Sequence, residues 1–197
     1  MFDTVLIAGL GLMGGSMAKT IKARTLSRVL GWNRTRATAE QALADGSIDA
    51  IATDALFREV DLVIIGLYPQ ATVDWLLENM PKMKKGCVIV DMVGVKQFMV
   101  DHLEQAALDA GVHYVGGHPM AGREFSGLDY ALPTLFDGAS MIFVPTRSSS
   151  ERILSQLEAY FMSLGFGQTV RCTAEQHDHM IAFTSQLAHV VSSDRKS

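Results

Sequence analysis

The stretch TVLIAGLGLMG, Thr4–Gly14, decides the fold of this chain of 197 residues. It begins with a short run of aliphatic and β-branched residues, which is the pattern of a strand buried on both faces. Glycines follow at the GxGxxG spacing, at Gly9, Gly11 and Gly14, and helical periodicity then continues to Ala23. A strand, a glycine-rich turn and a helix in this order predict the first half of a βαβ unit.

The rest of the chain up to residue 172 alternates short apolar runs with helical stretches. The apolar runs predict strands at Arg28–Trp32, Asp61–Ile65, Cys87–Val90, Val112–Val115, Met141–Pro145 and Gly165–Val170. The helical patterns cover Thr35–Asp45, Pro69–Asn79, Gln97–Ala110 and Ser150–Ser163. Continuous apolar strands separated by helices indicate a parallel sheet with both faces covered. We therefore predict an α/β domain over residues 1–172, with a doubly wound, mostly parallel sheet of the Rossmann type.

Residues 173–197 follow a different pattern, because the run AEQHDHMIAFTSQLAHVV has helical periodicity and no strand follows it. One helix cannot bury its own apolar face and must pack on something else. A terminal lid on the sheet domain is one interpretation. We favour the other, in which this segment is the first helix of an all-helical second domain that is otherwise missing, so that the chain is a fragment.

Composition excludes several classes of protein. A formal net charge of −4 and a pI near 5.8 give no basic surface for nucleic acid. There is no apolar run long enough to span a membrane, and the N-terminus lacks the basic start of a signal peptide. Cys87 and Cys172 stand beside apolar runs without metal-ligand spacing, so we expect reduced core thiols and no metal site. These features predict a cytoplasmic protein without a nucleic-acid or membrane partner.

The glycine-rich turn predicts a dinucleotide site. In such turns the first glycine permits the sharp bend, the second lets a pyrophosphate approach the backbone, and the third allows close packing of helix and strand. The N-terminus of the helix adds free N–H groups and positive potential. The predicted cofactor-binding residues here are Gly9, Leu10, Gly11, Leu12, Met13 and Gly14.

The end of the second strand bears on which dinucleotide binds. An acidic residue there selects NAD by accepting the ribose hydroxyls, but this chain has Asn33, Arg34 and Thr35. An asparagine can still bond a ribose hydroxyl, and Arg34 could pair with a 2′-phosphate or stack on adenine. Arg34 as a merely solvated side chain is the alternative. We predict NAD(P) as cofactor, with a modest preference for NADP.

Longer motifs carry a family resemblance. The run GGHPMAGREFSG, residues 116–127, together with GLGLMGGS, VDMVGVK and HDHMIAFTSQLAH, resembles the prephenate dehydrogenase family, whose close relatives are the arogenate dehydrogenases. The resemblance covers essentially the whole chain. It implies oxidative decarboxylation of prephenate to 4-hydroxyphenylpyruvate in tyrosine biosynthesis. It also implies a homodimer for the full-length protein and a substrate-binding arginine in the second domain, to which no residue here can be assigned.

The resemblance assigns roles to individual residues. His118 matches the catalytic histidine, and we expect the glycines and proline of GHPMAG to form a loop that presents it to the C4 hydroxyl, whose proton it accepts. The substrate-binding positions that the resemblance implies are Gly94, Glu124, Ser126 and His189. A surface carboxylate is the alternative for Glu124. We interpret His177 with Asp178 as helix-start residues, and His102, His113 and His179 as structural or exposed.

The chain departs from the family at Gly94, where many members have a serine beside the catalytic histidine. Glycine cannot donate that hydrogen bond, although Lys96 remains and either supports the site or caps the next helix. The substrate-binding arginine implied by the resemblance is also missing, and a dianionic substrate should bind poorly without it. We therefore expect this chain to bind the dinucleotide well and to turn over prephenate slowly or not at all. Three alternatives stay open: an arogenate dehydrogenase, another NAD(P)-dependent reductase on this scaffold that acts on β-hydroxy acids or imines, and a non-catalytic dinucleotide-binding module.

Overall fold

A computed structural model describes residues 2–183 of the chain. Eight strands form one sheet in the order β3-β2-β1-β4-β5-β6-β7-β8, and every pair is parallel except β6 with β7. The strands are β1 (Thr4–Ala8), β2 (Arg28–Trp32), β3 (Ala50–Ile51), β4 (Leu62–Ile65), β5 (Val88–Asp91), β6 (His113–Pro119), β7 (Ser140–Pro145) and β8 (Gln168–Arg171).

Helices cover both faces of this sheet. They are α1 (Leu12–Arg24), α2 (Arg36–Ala44), α3 (Pro69–Asn79), α4 (Gln97–Ala110), α5 (Glu151–Ser163) and α6 (residues 174–183). Short 3-10 helices occupy Leu56–Glu59, Met80–Lys82 and Leu128–Tyr130. This architecture confirms the predicted doubly wound α/β fold. Within residues 2–183, no helix has the length and apolar character needed to cross a membrane.

The alternation of side chains along β1 shows how the two layers form. Val5 and Ile7 pack into the cluster that includes α1 and α5, whereas Leu6 and Ala8 pack into the cluster under α3 and α4. All four are fully buried. Burying an aliphatic side chain of this size contributes about 1.5–3 kcal/mol relative to leaving it exposed, so a strand that is apolar on both faces is stable only between two helical layers.

The structure corrects the prediction of a loop at GHPMAG. Strand β6 does not end at Val115 but continues to Pro119, paired antiparallel with β7 so that His118 lies opposite Ile142. Gly117 is not part of a turn. Glycine is needed there because the backbone packs closely against β5, and a Cβ would lie 2.3 Å from the carbonyl oxygen of Asp91. His118 therefore stands on a strand, which is a more rigid support than the expected loop.

Two smaller differences have local causes. The strand β3 was not predicted, because two residues are too short to show a strand pattern. The last strand begins at Gln168 rather than Gly165, because Gly165 has a φ of +96° and belongs to the turn after α5.

Candidate active site at the carboxyl edge of the sheet

The glycine-rich turn fits the phosphate group of a dinucleotide. Gly9 has a φ of +91°, which only glycine adopts readily, and a Cβ on Gly14 would lie 1.8 Å from the carbonyl oxygen of Gly9. A Cβ on Gly11, in contrast, would meet no protein atom within 4 Å. The first and third glycines are thus required by the fold, whereas the second leaves open space where a ligand can reach the backbone.

The start of α1 adds donors to this turn. Gly11 is the N-cap residue, no side chain caps the helix, and its first turn carries no acidic residue. The first amides of a helix have no partner within the helix, and they carry the positive end of its dipole. This end of α1 is therefore suited to an anionic group.

Asn33 connects the glycine-rich turn to the end of β2. Its Oδ1 accepts a hydrogen bond from the backbone N–H of Leu10 at 3.0 Å, and its Nδ2 donates to the carbonyl oxygen of Thr35 at 3.1 Å. The amide expected to face a ribose thus holds two loops together. The neighbouring Arg34 and Thr35 are exposed, and Thr35 is the N-cap residue of α2 without bonding its own helix through its side chain.

A cleft of about 380 Å³ opens in front of the turn. It lies at the carboxyl ends of β1, β4 and β5, which is where ligands bind in sheets of this kind. Ser126 lies on its wall, whereas Glu124 is exposed and does not line it. Tyr68, which the sequence analysis did not single out, also lines the cleft and is 88% exposed. The lining residues are Gly11, Leu12, Met13, Gly66, Leu67, Tyr68, Met92, Phe125, Ser126 and Gly127.

His118 lies near the end of β6, and a second histidine, His177, links it by hydrogen bonds to the carboxylate of Asp178. Its Nδ1 is 2.8 Å from Nε2 of His177, and Nδ1 of His177 is 2.8 Å from Oδ1 of Asp178. Asp178 also accepts hydrogen bonds from the backbone N–H groups of Lys96 and Gln97, at 2.7 and 2.9 Å. The carboxylate therefore caps the N-terminus of α4 while it holds the imidazole of His177.

This arrangement corrects the interpretation of His177 and Asp178 as helix-start residues only. They do lie in the first turns of α6, but His177 is fully buried and its ring contacts His118. The sequence carried one signal for this, because Ala174 and Ile181 share the helix face of His177 at the i, i+3 and i, i+4 spacing. His189, the other histidine expected near substrate, lies outside the described residues.

The surroundings of His118 keep its imidazole neutral. The pKa of His118 is lowered to about 4, chiefly by burial and then by the nearby His177 and Lys96, while Asp91 and Asp178 raise it by less. A histidine with this pKa is uncharged at neutral pH, so one ring nitrogen carries a proton and the other has a free lone pair.

Behind His118 lies a buried ion pair. Lys96 is fully buried, and its ammonium group donates to Asp91, whose carboxylate also accepts from the Tyr114 hydroxyl at 2.7 Å and the Val93 backbone N–H at 2.8 Å. Burial lowers the pKa of Lys96 and raises that of Tyr114 well above its usual value. Lys96 stands at the N-cap position of α4, but its side chain makes no capping hydrogen bond and is bonded to Asp91 instead.

Gly94 lies directly beside the catalytic candidate. A Cβ at this position would lie 3.8 Å from both Cε1 and Nε2 of His118. A serine there would bring its hydroxyl close to the imidazole, and glycine leaves that edge of the ring without a side-chain partner from position 94. Within residues 2–183, no cluster of three or more His, Cys, Asp or Glu side chains has the arrangement of a metal site.

Comparison with known proteins gives a consistent set of relatives. The chain is 33% identical over 196 residues to prephenate dehydrogenase of Bacillus subtilis, covering 98% of this chain and 52% of that protein. It is 28% identical to cyclohexadienyl dehydrogenase of Zymomonas mobilis, covering 97% of this chain and 65% of that protein. The chain thus spans between about half and two thirds of the length of these relatives.

Solved structures match equally well. Prephenate dehydrogenase from A. aeolicus, in complex with hydroxyphenyl propionate and NAD+, superposes with a TM-score of 0.87 at 26% identity, covering 98% of this chain and 68% of that one. Synechocystis arogenate dehydrogenase superposes with a TM-score of 0.85 at 25% identity, covering 96% and 68%. The sequence model for the nucleotide-binding domain of prephenate dehydrogenase matches residues 17–168. The chain therefore belongs to the family of prephenate dehydrogenase nucleotide-binding domains.

Proposed function

We propose that this chain carries the cofactor site and the base of an NAD(P)-dependent dehydrogenase that converts prephenate to 4-hydroxyphenylpyruvate. The observation that supports this most strongly is the position of His118 at the same sheet edge as the glycine-rich turn. Strands β1 and β6 are three positions apart in the sheet, which at about 4.8 Å per strand is about 14 Å. An extended dinucleotide can bridge that distance, with its phosphates at one end and its nicotinamide near the base.

In the proposed reaction, His118 accepts one proton from the substrate and later returns it to the product. NAD(P), when bound, accepts the hydride that leaves C4 of the substrate. As that hydride leaves, the C4 hydroxyl becomes far more acidic, so even an imidazole with a pKa of about 4 can accept its proton. The ring carboxylate departs as CO2 and leaves its bonding electrons in the ring, which becomes aromatic. Protonated His118 then returns the proton to the phenolate oxygen of the product.

The substrate-binding residues, the choice of substrate, the oligomeric state and the location expected from the sequence are part of the same proposal. Ser126 lies on the cleft wall and Gly94 lies beside the imidazole, and we retain both as substrate-binding positions. Glu124 and His189 are retained as substrate-binding positions on the resemblance alone. The homodimer also rests on the resemblance, whereas the cytoplasmic location rests on the composition and the two cysteines. Arogenate is kept as the alternative substrate.

We propose NADP as the preferred cofactor. No carboxylate occupies the end of β2, and Arg34 and Thr35 stand exposed at the N-terminus of α2, where positive potential favours a 2′-phosphate. A charge-assisted hydrogen bond contributes about 1.5–3 kcal/mol. Arg34→Ala is therefore expected to weaken NADPH binding roughly 10- to 100-fold and to leave NADH binding nearly unchanged.

Arg36→Ala is the matched control for this variant, because the Arg36 guanidinium is already bonded to Glu40 at 2.8 Å. It should leave both affinities unchanged. The measurement is a fluorescence titration of each variant with NADPH and NADH. Equal loss of both cofactors in Arg34→Ala, or no loss of either, contradicts the NADP assignment.

The activity itself is tested by absorbance at 340 nm with prephenate or arogenate, using NAD and NADP separately. The proposal expects the signal to grow with prephenate. A flat trace from this chain agrees with the slow or absent turnover expected from its sequence. A flat trace from a longer protein that binds the cofactor and also carries the second domain contradicts the proposal and favours a dinucleotide-binding module. Growth with a β-hydroxy acid or an imine-forming amine, and not with prephenate, favours another reductase on this scaffold.

A further inference from the structure

We infer that His177 and Asp178 are positioning residues that hold His118 in the tautomer that a base at this site requires. The inference rests on the proposed function, since it gives these two residues a part in the same site. The three side chains form a continuous line, with 2.8 Å between the two imidazoles and 2.8 Å between His177 and the carboxylate.

When both imidazoles are uncharged, the order of donors along this line is set by its far end. The carboxylate of Asp178 only accepts, so Nδ1 of His177 carries the proton that joins them. With His177 neutral, its Nε2 then has a lone pair and accepts from Nδ1 of His118. The lone pair of His118 is left on Nε2, the nitrogen on the Gly94 side. An isolated neutral imidazole favours the opposite form, with the proton on Nε2, so the line selects the minor tautomer.

Both ends of the line are anchored. Asp178 accepts from the backbone N–H groups of Lys96 and Gln97, which fixes its oxygens at the N-terminus of α4. His177 is fully buried, so its ring has little room to turn. His118 is held on a paired strand. Asp178 could cap α4 without His177, and the capping role alone therefore does not explain why the buried imidazole bridges the carboxylate and His118.

The glycine at position 94 makes the hydrogen bond between His118 and His177 more important for the orientation of the base. Within residues 2–183 the His118 ring has one hydrogen bond, to His177, and position 94 contributes no side chain to the Nε2 edge. The charged groups that face His118 are Lys96, Asp91 and Asp178. Lys96 and Asp91 are already bonded to each other, so they do not compete for the imidazole. Orientation of the base thus depends on its Nδ1 side.

The tautomer can be read directly from the ring-nitrogen chemical shifts of protein labelled with ¹⁵N-histidine. We expect His118 in the unmodified chain at neutral pH to carry its proton on Nδ1. His177→Leu should shift the population toward the Nε2–H form. His177→Gln can place an amide oxygen where Nε2 was, and should keep the original tautomer. His179→Gln, an exposed position on the same helix, is the control that should change nothing.

An Nε2–H tautomer in the unmodified chain overturns the inference, and so does a tautomer that His177→Leu leaves unchanged. The unmodified chain and His177→Gln are measured with the same kind of spectrum, so the inference can still be tested if His177→Leu fails to fold. In protein that oxidises prephenate, His177→Leu should also lower kcat about 10- to 100-fold with little change in KM, and His177→Gln should recover most of it. The expected tautomer in a protein that does not act on prephenate would remove the proposed function and leave the orientation intact.

Discussion

At the scale of single residues, the three glycines of the phosphate turn have different physical reasons for being glycine. Gly14 is fixed by contact, since any Cβ would overlap the backbone of Gly9. Gly9 is fixed by its positive φ. Gly11 is fixed by neither, because its φ of −77° is ordinary and the space above it is open. The reason for a glycine at this position lies in what approaches it from outside.

This difference gives a prediction on two variants. Gly11→Ala should leave the free energy of unfolding nearly unchanged and weaken NAD(P) binding at least 10-fold, since the methyl group occupies the space of the pyrophosphate. Gly14→Ala should instead destabilise the fold by more than about 2 kcal/mol through the backbone overlap. Urea unfolding and cofactor titration measure the two effects.

Gly122→Ala serves as the control, because a Cβ there also meets no protein atom within 4 Å but lies outside the cleft lining. It should change neither quantity. If Gly11→Ala binds NADPH as tightly as the unmodified chain, the turn does not hold the phosphates.

The low pKa of His118 makes a prediction about stability. In the unfolded chain this group takes up a proton as the pH falls below its ordinary value near 6.5, whereas in the folded protein it does so only near pH 4. The unfolded state binds more protons between these values, so stability is full above pH 6.5 and is lost as the pH falls toward 4. His118→Asn should therefore lose less stability between pH 7 and pH 5 than the unmodified chain.

Urea unfolding of both proteins at the two pH values checks this difference. The acidic groups whose pKa is lowered, such as Asp61 and Asp178, are common to both proteins and titrate at lower pH. Equal losses in the two proteins would mean that His118 is not held neutral by the fold.

At the scale of elements, the junction of β5 and α4 holds the site together. Asp91 ends β5, Lys96 starts α4, and their buried ion pair is completed by Tyr114 from β6. A buried ion pair is weak evidence for added stability, but removing one partner leaves an uncompensated charge in the interior. Lys96→Met should thus destabilise the protein by about 3–5 kcal/mol.

The double variant Asp91→Leu with Lys96→Met removes both charges and should be more stable than Lys96→Met alone, even though Tyr114 then loses its acceptor. Thermal or urea unfolding of the single and double variants measures this coupling. A double variant that is less stable than the single one would show that the carboxylate is held chiefly by Tyr114 and Val93 rather than by Lys96.

At the scale of the whole molecule, the fold could be predicted from local sequence patterns, whereas the site could be predicted only in part. The strand–turn–helix at Thr4–Gly14 and the later apolar runs predicted the doubly wound sheet because each signal spans a few neighbouring residues. The extension of β6 through His118 was not predictable in this way, since Gly116–Pro119 has turn composition and is held extended by pairing with β7. The extended conformation of that segment is thus determined by tertiary contacts.

The same distinction applies to the base and its partners. His118 was identified from a motif in the sequence, whereas its bond to His177 joins residues that are 59 positions apart. Helical spacing placed His177 on a buried face, but no local pattern shows which group it meets there. The internal role of Asn33 was hidden for the same reason, because Leu10 lies 23 positions away.

The most direct test of the central claim compares kcat for prephenate in the unmodified chain and His118→Asn, with cofactor affinity measured on both. Asparagine cannot accept the C4-hydroxyl proton as imidazole does, and a positioned general base contributes about 10²- to 10⁴-fold. We predict a fall in kcat of that size at pH 7 with an unchanged Kd for NADPH. Equal kcat in the two proteins would contradict the assignment of His118 as the base.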